Sequence, residues 1–122
     1  MIKLSSFRHA YDGVIVTFKE HPNIRFHMLA GLTATLLSYL LNLNRLEFVI
    51  ILFTISLVIT SEMINTAIES MTDLITLEYR KEAKIAKDVA AGMVLINSLL
   101  AVIVAIIVFL PHLLIITSNQ TP

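Results

Sequence analysis

"FVIILFTISLVIT", residues 48–60, runs straight into "SEMINTAIESMTDLI", residues 61–75, and the reading of that junction decides the fold. The first stretch is thirteen residues without a charge, and the second carries Glu62, Asn65, Glu69 and Asp73. A helix needs about 20 predominantly apolar residues to cross the hydrocarbon core of a bilayer. The apolar run from Leu46 to Thr60 falls short, so it spans only if the carboxylate stretch continues the same helix. At about 100° per residue, Asn65, Glu69 and Asp73 lie within roughly 60° of Glu62, flanked by Thr66, Ser70 and Thr72. Met63, Ile64, Ala67, Ile68, Met71, Leu74 and Ile75 take the opposite arc. The spacing predicts one helix over 46–75 whose second half must meet something polar.

Two further apolar segments lie on either side. "FHMLAGLTATLLSYLLNL" covers 26–43, and "VAAGMVLINSLLAVIVAIIVFL" covers 89–110 and is expected to end at Pro111. Before the first, Phe7, Tyr11, Val14 and Phe18 form a single helical stripe with Arg8, Asp12 and Lys19 off it. Residues 5–20 therefore read as an amphipathic helix in the membrane interface, or as a soluble helix packed on the end of the bundle. Pro22 is expected to end it. Segments 76–88 and 111–122 are left as a loop and a tail.

Composition agrees with a membrane location. Of 122 residues, 57% are hydrophobic and 15% charged, with a mean hydropathy of +0.83. Soluble domains average about 25% charged. The expectation is an all-α integral membrane protein, residues 1–122 forming one domain, with three transmembrane helices and an N-terminal surface helix. A formal net charge of zero gives no reason to expect nucleic acid, and the lack of cysteine excludes disulfides and thiolate metal sites. No signal peptide is expected. Lys3, Arg8, Lys19 and Arg25 precede the first span; Arg80, Lys81, Lys84 and Lys87 lie between the second and third; Arg45 stands alone elsewhere. The positive-inside rule then puts the N-terminus and 76–88 in the cytoplasm, and the 42–46 turn and C-terminus outside.

Carboxylates at membrane depth are costly and mark sites or pathways. Several on one face repel one another unless a cation lies between them. Carboxylate and amide oxygens without His or Cys suit a hard cation, Mg²⁺ above Zn²⁺. The blander reading is a solvated helix end, which fits Asp73 best and Glu62 worst. One helix cannot shelter such a stripe, so assembly of several copies is expected. In the loop, Lys84 and Lys87 share a helical side and Asp88 adjoins Lys87, a set able to balance an anionic ligand. The plainer alternative has the lysines snorkelling to head groups and Asp88 capping the third helix. Gly13, Gly31 and Gly92 are too scattered for a phosphate-binding loop.

"SEMINTAIESMTDLIT", "EY" and "AKIAKDVAAGMVLI", with "NIRFH" and "RLEFVIIL", resemble the prokaryotic diacylglycerol kinase family, which includes undecaprenol kinases. The resemblance covers most of residues 5–110. It implies a homotrimer in the bacterial inner (plasma) membrane. It also implies Mg²⁺-dependent transfer of the ATP γ-phosphoryl group to a lipid hydroxyl at the cytoplasmic interface. Glu62 matches the general base, Asn65 its polar partner and Glu69 a metal-ligating glutamate. Glu78, Tyr79 and Arg80 match a nucleotide-touching segment, and Lys87 with Asp88 a second nucleotide contact. The family's other metal-binding glutamate falls on His21 here, with Glu20 one residue earlier; Glu20 is the preferred candidate. Leu77, Arg80 and Lys81 also depart from the family pattern. The C-terminal half, with "AKDVAAG", favours undecaprenol over diacylglycerol. The alternative is a small cation or proton transporter using Glu62, Asn65 and Glu69 as a relay, although its acidic groups would be spread through the membrane.

Overall fold

The computed structural model describes residues 4–118; residues 1–3, Lys3 among them, and residues 119–122 lie outside the described residues. Four helices follow in order: α1 (Leu4–Glu20), α2 (Pro22–Leu40), α3 (Arg45–Ile75) and α4 (Lys81–Ser118). Among the described residues there is no strand.

Each connection is specified by a few side chains. Between α1 and α2, Pro22 occupies the first turn of α2, where its missing N–H leaves no bond unmade. Arg25 reaches back to the end of α1. Its guanidinium donates to the carbonyls of Phe18 (2.8 Å) and Lys19 (2.6 Å) and lies over the Phe18 ring. A cation on the last carbonyls of a helix satisfies them and complements the helix dipole. The α2–α3 turn depends on two asparagines. Asn42 takes the left-handed conformation that ends α2 (φ 53°), which asparagine tolerates better than most residues. Asn44 then starts α3 through a capping box with Glu47, the two exchanging hydrogen bonds of 3.0 Å.

α3 is one unbroken helix through the carboxylate stretch. Much of its polar arc faces inward: Ser61, Glu62, Asn65, Thr66 and Thr72 are buried, while Glu69 is half-buried and Ser70 and Asp73 are exposed. Its apolar arc faces outward, with Leu74 88% and Ile75 80% exposed. This is the reverse of a water-soluble helix. α2 covers the polar arc in part, so a single copy already shelters Glu62, where the sequence alone pointed to neighbouring copies. Most hydroxyls on α2 and α3 fold back on their own helix, Thr35 to Gly31, Ser38 to Ala34 and Thr54 to Ile50 among them. Such internal pairing is what lipid surroundings demand of a polar group.

α4 differs from expectation at both ends. It begins at Lys81, so the loop is 76–80 instead of 76–88, and Asp88 lies well inside the helix, not at its cap. It also continues through Pro111 to Ser118. The proline removes one helical hydrogen bond, but the next residue, His112, ties the far segment to α3. His112 Nε2 lies 3.2 Å from each carboxylate oxygen of Glu47. Beyond it, "LLII" at 113–116 keeps the apolar surface going.

α3 and α4 are the two described helices long and apolar enough to cross a membrane. α2 opens on the polar "PNIRFH" and is shorter, 19 residues. The apolar core at the turn end gathers Ile51, Val108 and Phe109 with Leu37, Ile55 and Val104 around them.

Candidate active site

Two groups of predicted residues form, one turn of α3 apart. The first is the buried stripe. Glu62 is 3% exposed. Its Oε1 lies 3.2 Å from Nε2 of His27 on α2. Asn65 donates from Nδ2 to Oε1 of Glu69 at 2.9 Å, the i, i+4 partner one turn away. The other oxygen of Glu69 lies 3.9 Å from Nδ1 of His21. Two buried atoms of the stripe, Asn65 Oδ1 and Thr66 Oγ1, have no hydrogen-bond partner. Leaving a buried acceptor unmatched costs about 1–3 kcal/mol, so each marks a place where a ligand would be welcome.

The second group surrounds the α3–α4 loop. Asp73, Glu78, Tyr79, Arg80, Lys87 and Asp88 all line one cleft of about 360 Å³. Lys87 Nζ lies 2.5 Å from Asp73 Oδ1, Lys84 pairs with Asp88, and Arg80 lies 3.5 Å from Glu78. Thr76 shapes the loop by accepting the Glu78 N–H on its hydroxyl at 3.1 Å. Lys84 and Lys87, predicted to act on one side, therefore serve different carboxylates. The cleft has the size and mixed charge to take a polyanion, provided the ligand competes with these ion pairs.

Glu20 does not join either group. It is exposed at the last position of α1, and His21 stands nearer Glu69. Among the described residues no group of three or more His, Asp or Glu converges as a metal site. Glu69 and the unpartnered Oδ1 of Asn65 still form an oxygen donor pair suited to Mg²⁺. That ion is usually held by one or two carboxylates, with phosphate oxygens supplying further ligands.

Sequence reasoning missed His27 as a partner of Glu62, although "NIRFH" was recognised at the start of the first span. An antiparallel pairing of α2 with α3 about the 41–44 turn brings position 27 opposite position 62 and 21 opposite 69. Beside His27 lies a largely apolar cavity of about 290 Å³ between α2, α3 and α4, walled by Ala30, Gly31, Ile55, Ala101 and Phe109 among others. No residue of α1 lines it.

A family model described as prokaryotic diacylglycerol kinase matches residues 8–109. The chain is 41% identical over 112 residues to a diacylglycerol kinase of Synechocystis sp., covering 91% of this chain. It spans 64% of that relative's length, less than two thirds. It is 37% identical over 108 residues to the undecaprenol kinase of Bacillus subtilis, covering 88% of each chain. It is 28% identical over 104 residues to the diacylglycerol kinase of Escherichia coli K12, covering 85% of each.

Proposed function

The chain belongs to the prokaryotic diacylglycerol kinase family, a family of lipid kinases, and we propose that it transfers the γ-phosphoryl group of ATP to the hydroxyl of a membrane lipid. One observation carries the reading: Glu62, a buried carboxylate, adjoins the apolar cavity through His27, which lines that cavity and stands 3.2 Å from Glu62 Oε1. A lipid alcohol needs such a junction, with grease for its chain and a proton acceptor at its hydroxyl.

In this reading Glu62 accepts the alcohol proton as the alcohol oxygen bonds to the γ-phosphorus and the bond to the β-phosphate oxygen breaks, releasing ADP. General base catalysis of this kind contributes about 10²- to 10⁴-fold. Asn65 and Glu69, about 10 Å nearer the loop by helical rise for Glu69, align the phosphates. Glu69 and the Asn65 carbonyl would hold Mg²⁺, which neutralises phosphate charge as phosphoryl transfer generally requires. Lys87, Asp88, Glu78, Tyr79 and Arg80 make up the nucleotide end, the cleft at the loop supporting that assignment. α2 serves as a third span, α1 lies in the interface, and the N-terminus and 76–80 loop face the cytoplasm. A homotrimer in the inner membrane accounts for the large apolar faces that one copy leaves exposed. The lipid is undecaprenol or diacylglycerol; relatives of both names match, and the C-terminal half favours undecaprenol.

Glu62→Gln tests this. Phosphorylation of added lipid alcohol should fall by about 10²-fold or more, with the protein still folded. Retained turnover would remove Glu62 as the base. The transporter alternative has no support: apart from Glu47 in the first turn of α3, the acidic side chains of that helix lie in its second half, and none sits within the apolar runs of α2 or α4.

A further inference from the structure

We propose that His27 is the positioning residue for Glu62, holding Oε1 of the carboxylate so that Oε2 is presented to the lipid hydroxyl. The inference rests on the reading of Glu62 as proton acceptor. His27 lies in the second turn of α2, its side chain 18% exposed against 4% for Glu62, and the two meet at 3.2 Å. Among the described residues it is the one polar side chain that reaches this carboxylate. A glutamate has three side-chain torsions and two equivalent oxygens. Buried without a donor, it would have no reason to keep one orientation.

The imidazole supplies that reason. Nε2 stands 3.2 Å from Oε1, and an N–H there turned onto Oε1 would leave the lone pairs of Oε2 free. The ring is itself oriented: Phe26 meets it edge-on, centroids 5.6 Å apart at 72°. His27 also forms part of the cavity wall, so an alcohol whose chain fills the cavity brings its hydroxyl past the imidazole to Glu62. During transfer the alcohol proton goes to Oε2, and His27 keeps its own proton throughout. The imidazole thus acts through Glu62 and not on the substrate. The second histidine–carboxylate approach along the stripe, His21 to Glu69, is longer at 3.9 Å and beyond hydrogen-bond reach.

The test compares His27→Ala, His27→Gln and His27→Asn with Glu62→Gln, in mixed micelles with MgATP and a lipid alcohol. Loss of an orienting contact should lower kcat of His27→Ala by about 10- to 100-fold, with KM for MgATP unchanged. His27→Gln, which keeps an N–H at similar reach, should recover most of that loss, and the shorter Asn should not. This rescue holds its meaning even if the Ala variant fails to fold. The proposal is overturned if His27→Ala keeps kcat within about twofold of wild type, or if Gln is no better than Asn. If Glu62→Gln itself keeps full turnover, the base reading falls and this inference with it. If Glu62→Gln is inactive while His27→Ala is not, only the role of His27 falls.

Discussion

Lys87 and Asp73 close the loop end of the α3–α4 hairpin, Nζ to Oδ1 at 2.5 Å, and Glu47 and His112 close its far end at 3.2 Å. From Glu47 to Asp73 α3 rises about 39 Å, and from Lys87 to His112 α4 rises about 37 Å, at about 1.5 Å per residue. Both lengths exceed the hydrocarbon core of about 30 Å. The helices are thus long enough for both contacts to lie beyond the apolar layer, one on either side. Glu62 lies about 16 Å along the axis from Asp73, well inside that layer. Its burial against α2 is what makes the position tolerable.

The Asp73–Lys87 pair makes a prediction about nucleotide. If Lys87 contacts phosphate, Asp73 occupies it until nucleotide arrives. Lys87→Met should raise KM for MgATP by about tenfold or more, because a charge-assisted phosphate contact is lost. Asp73→Asn frees the lysine and should lower that KM. Both side chains are more than a third exposed, so either change should shift unfolding stability by less than about 1 kcal/mol. Steady-state kinetics over an ATP series, with thermal unfolding in the same detergent, checks both. A Lys87→Met enzyme with unaltered KM would take Lys87 out of the nucleotide site.

Much of this arrangement was legible in the sequence, and the reason is the helical period. The stripe of Glu62, Asn65, Glu69 and Asp73 follows from spacing alone, and α3 is indeed continuous through it. Partners on other helices were harder to see. Lys87 was grouped with Lys84 by their shared helical side, whereas the hairpin register sends it to Asp73 and leaves Lys84 with Asp88. His27 was hidden because register between α2 and α3 depends on where the turn closes, and that depends on Asn42 adopting a positive φ. Pro111 misled because a proline is a strong stop in water-exposed helices, whereas here Glu47 and His112 anchor the segment beyond it.

Glu69 should set the Mg²⁺ requirement. Its Oε1 accepts from Asn65, and a glutamine there could still accept that bond through its carbonyl. Glu69→Gln therefore removes a charge while preserving the neighbouring contact. The Mg²⁺ concentration for half-maximal turnover should rise about tenfold or more, since carboxylates are the ligands this ion prefers. Turnover at saturating Mg²⁺ should recover in part. A titration of Mg²⁺ at fixed ATP measures it, and an unchanged midpoint would exclude Glu69 as a ligand.

Gly31 fixes the approach of α2 to α3, and hence the reach of His27, which lies one turn away. A Cβ at position 31 would come within 2.9 Å of Ile55 Cγ2. That methyl sits on a β-branched side chain with little freedom at χ1, so the helices themselves must part. Gly31→Ala should destabilise by about 1–3 kcal/mol, as overpacking does, and should reduce turnover because His27 retreats from Glu62. Gly92→Ala, where nothing lies within 4 Å, is the control and should be near neutral. Adding Ile55→Ala to Gly31→Ala removes the clashing methyl and should restore part of both losses. Thermal unfolding and kcat measured on wild type and all three variants decide the matter; a Gly31→Ala protein as stable and active as wild type would show that α2 does not hold this register.

The cavity between α2, α3 and α4 should decide how the lipid is accepted. Its wall is built from small side chains, Ala30, Gly31, Ala34, Ala101 and Ala105, on α2 and α4. Ala101→Leu adds bulk into the cavity without touching Glu62, Glu69 or the loop cleft. Such a change should raise KM for the lipid alcohol by about 10-fold, in line with about 1–3 kcal/mol for a methylene-scale misfit in an apolar pocket. KM for MgATP should stay as it was, because the cleft proposed for nucleotide lies at the other group. Running undecaprenol and diacylglycerol separately through wild type and variant adds the substrate assignment: the true substrate shows the larger wild-type kcat/KM and the larger loss. If lipid KM is unmoved for both, the chain of the substrate lies elsewhere, on the exposed faces of the spans, and the cavity is only a gap between helices.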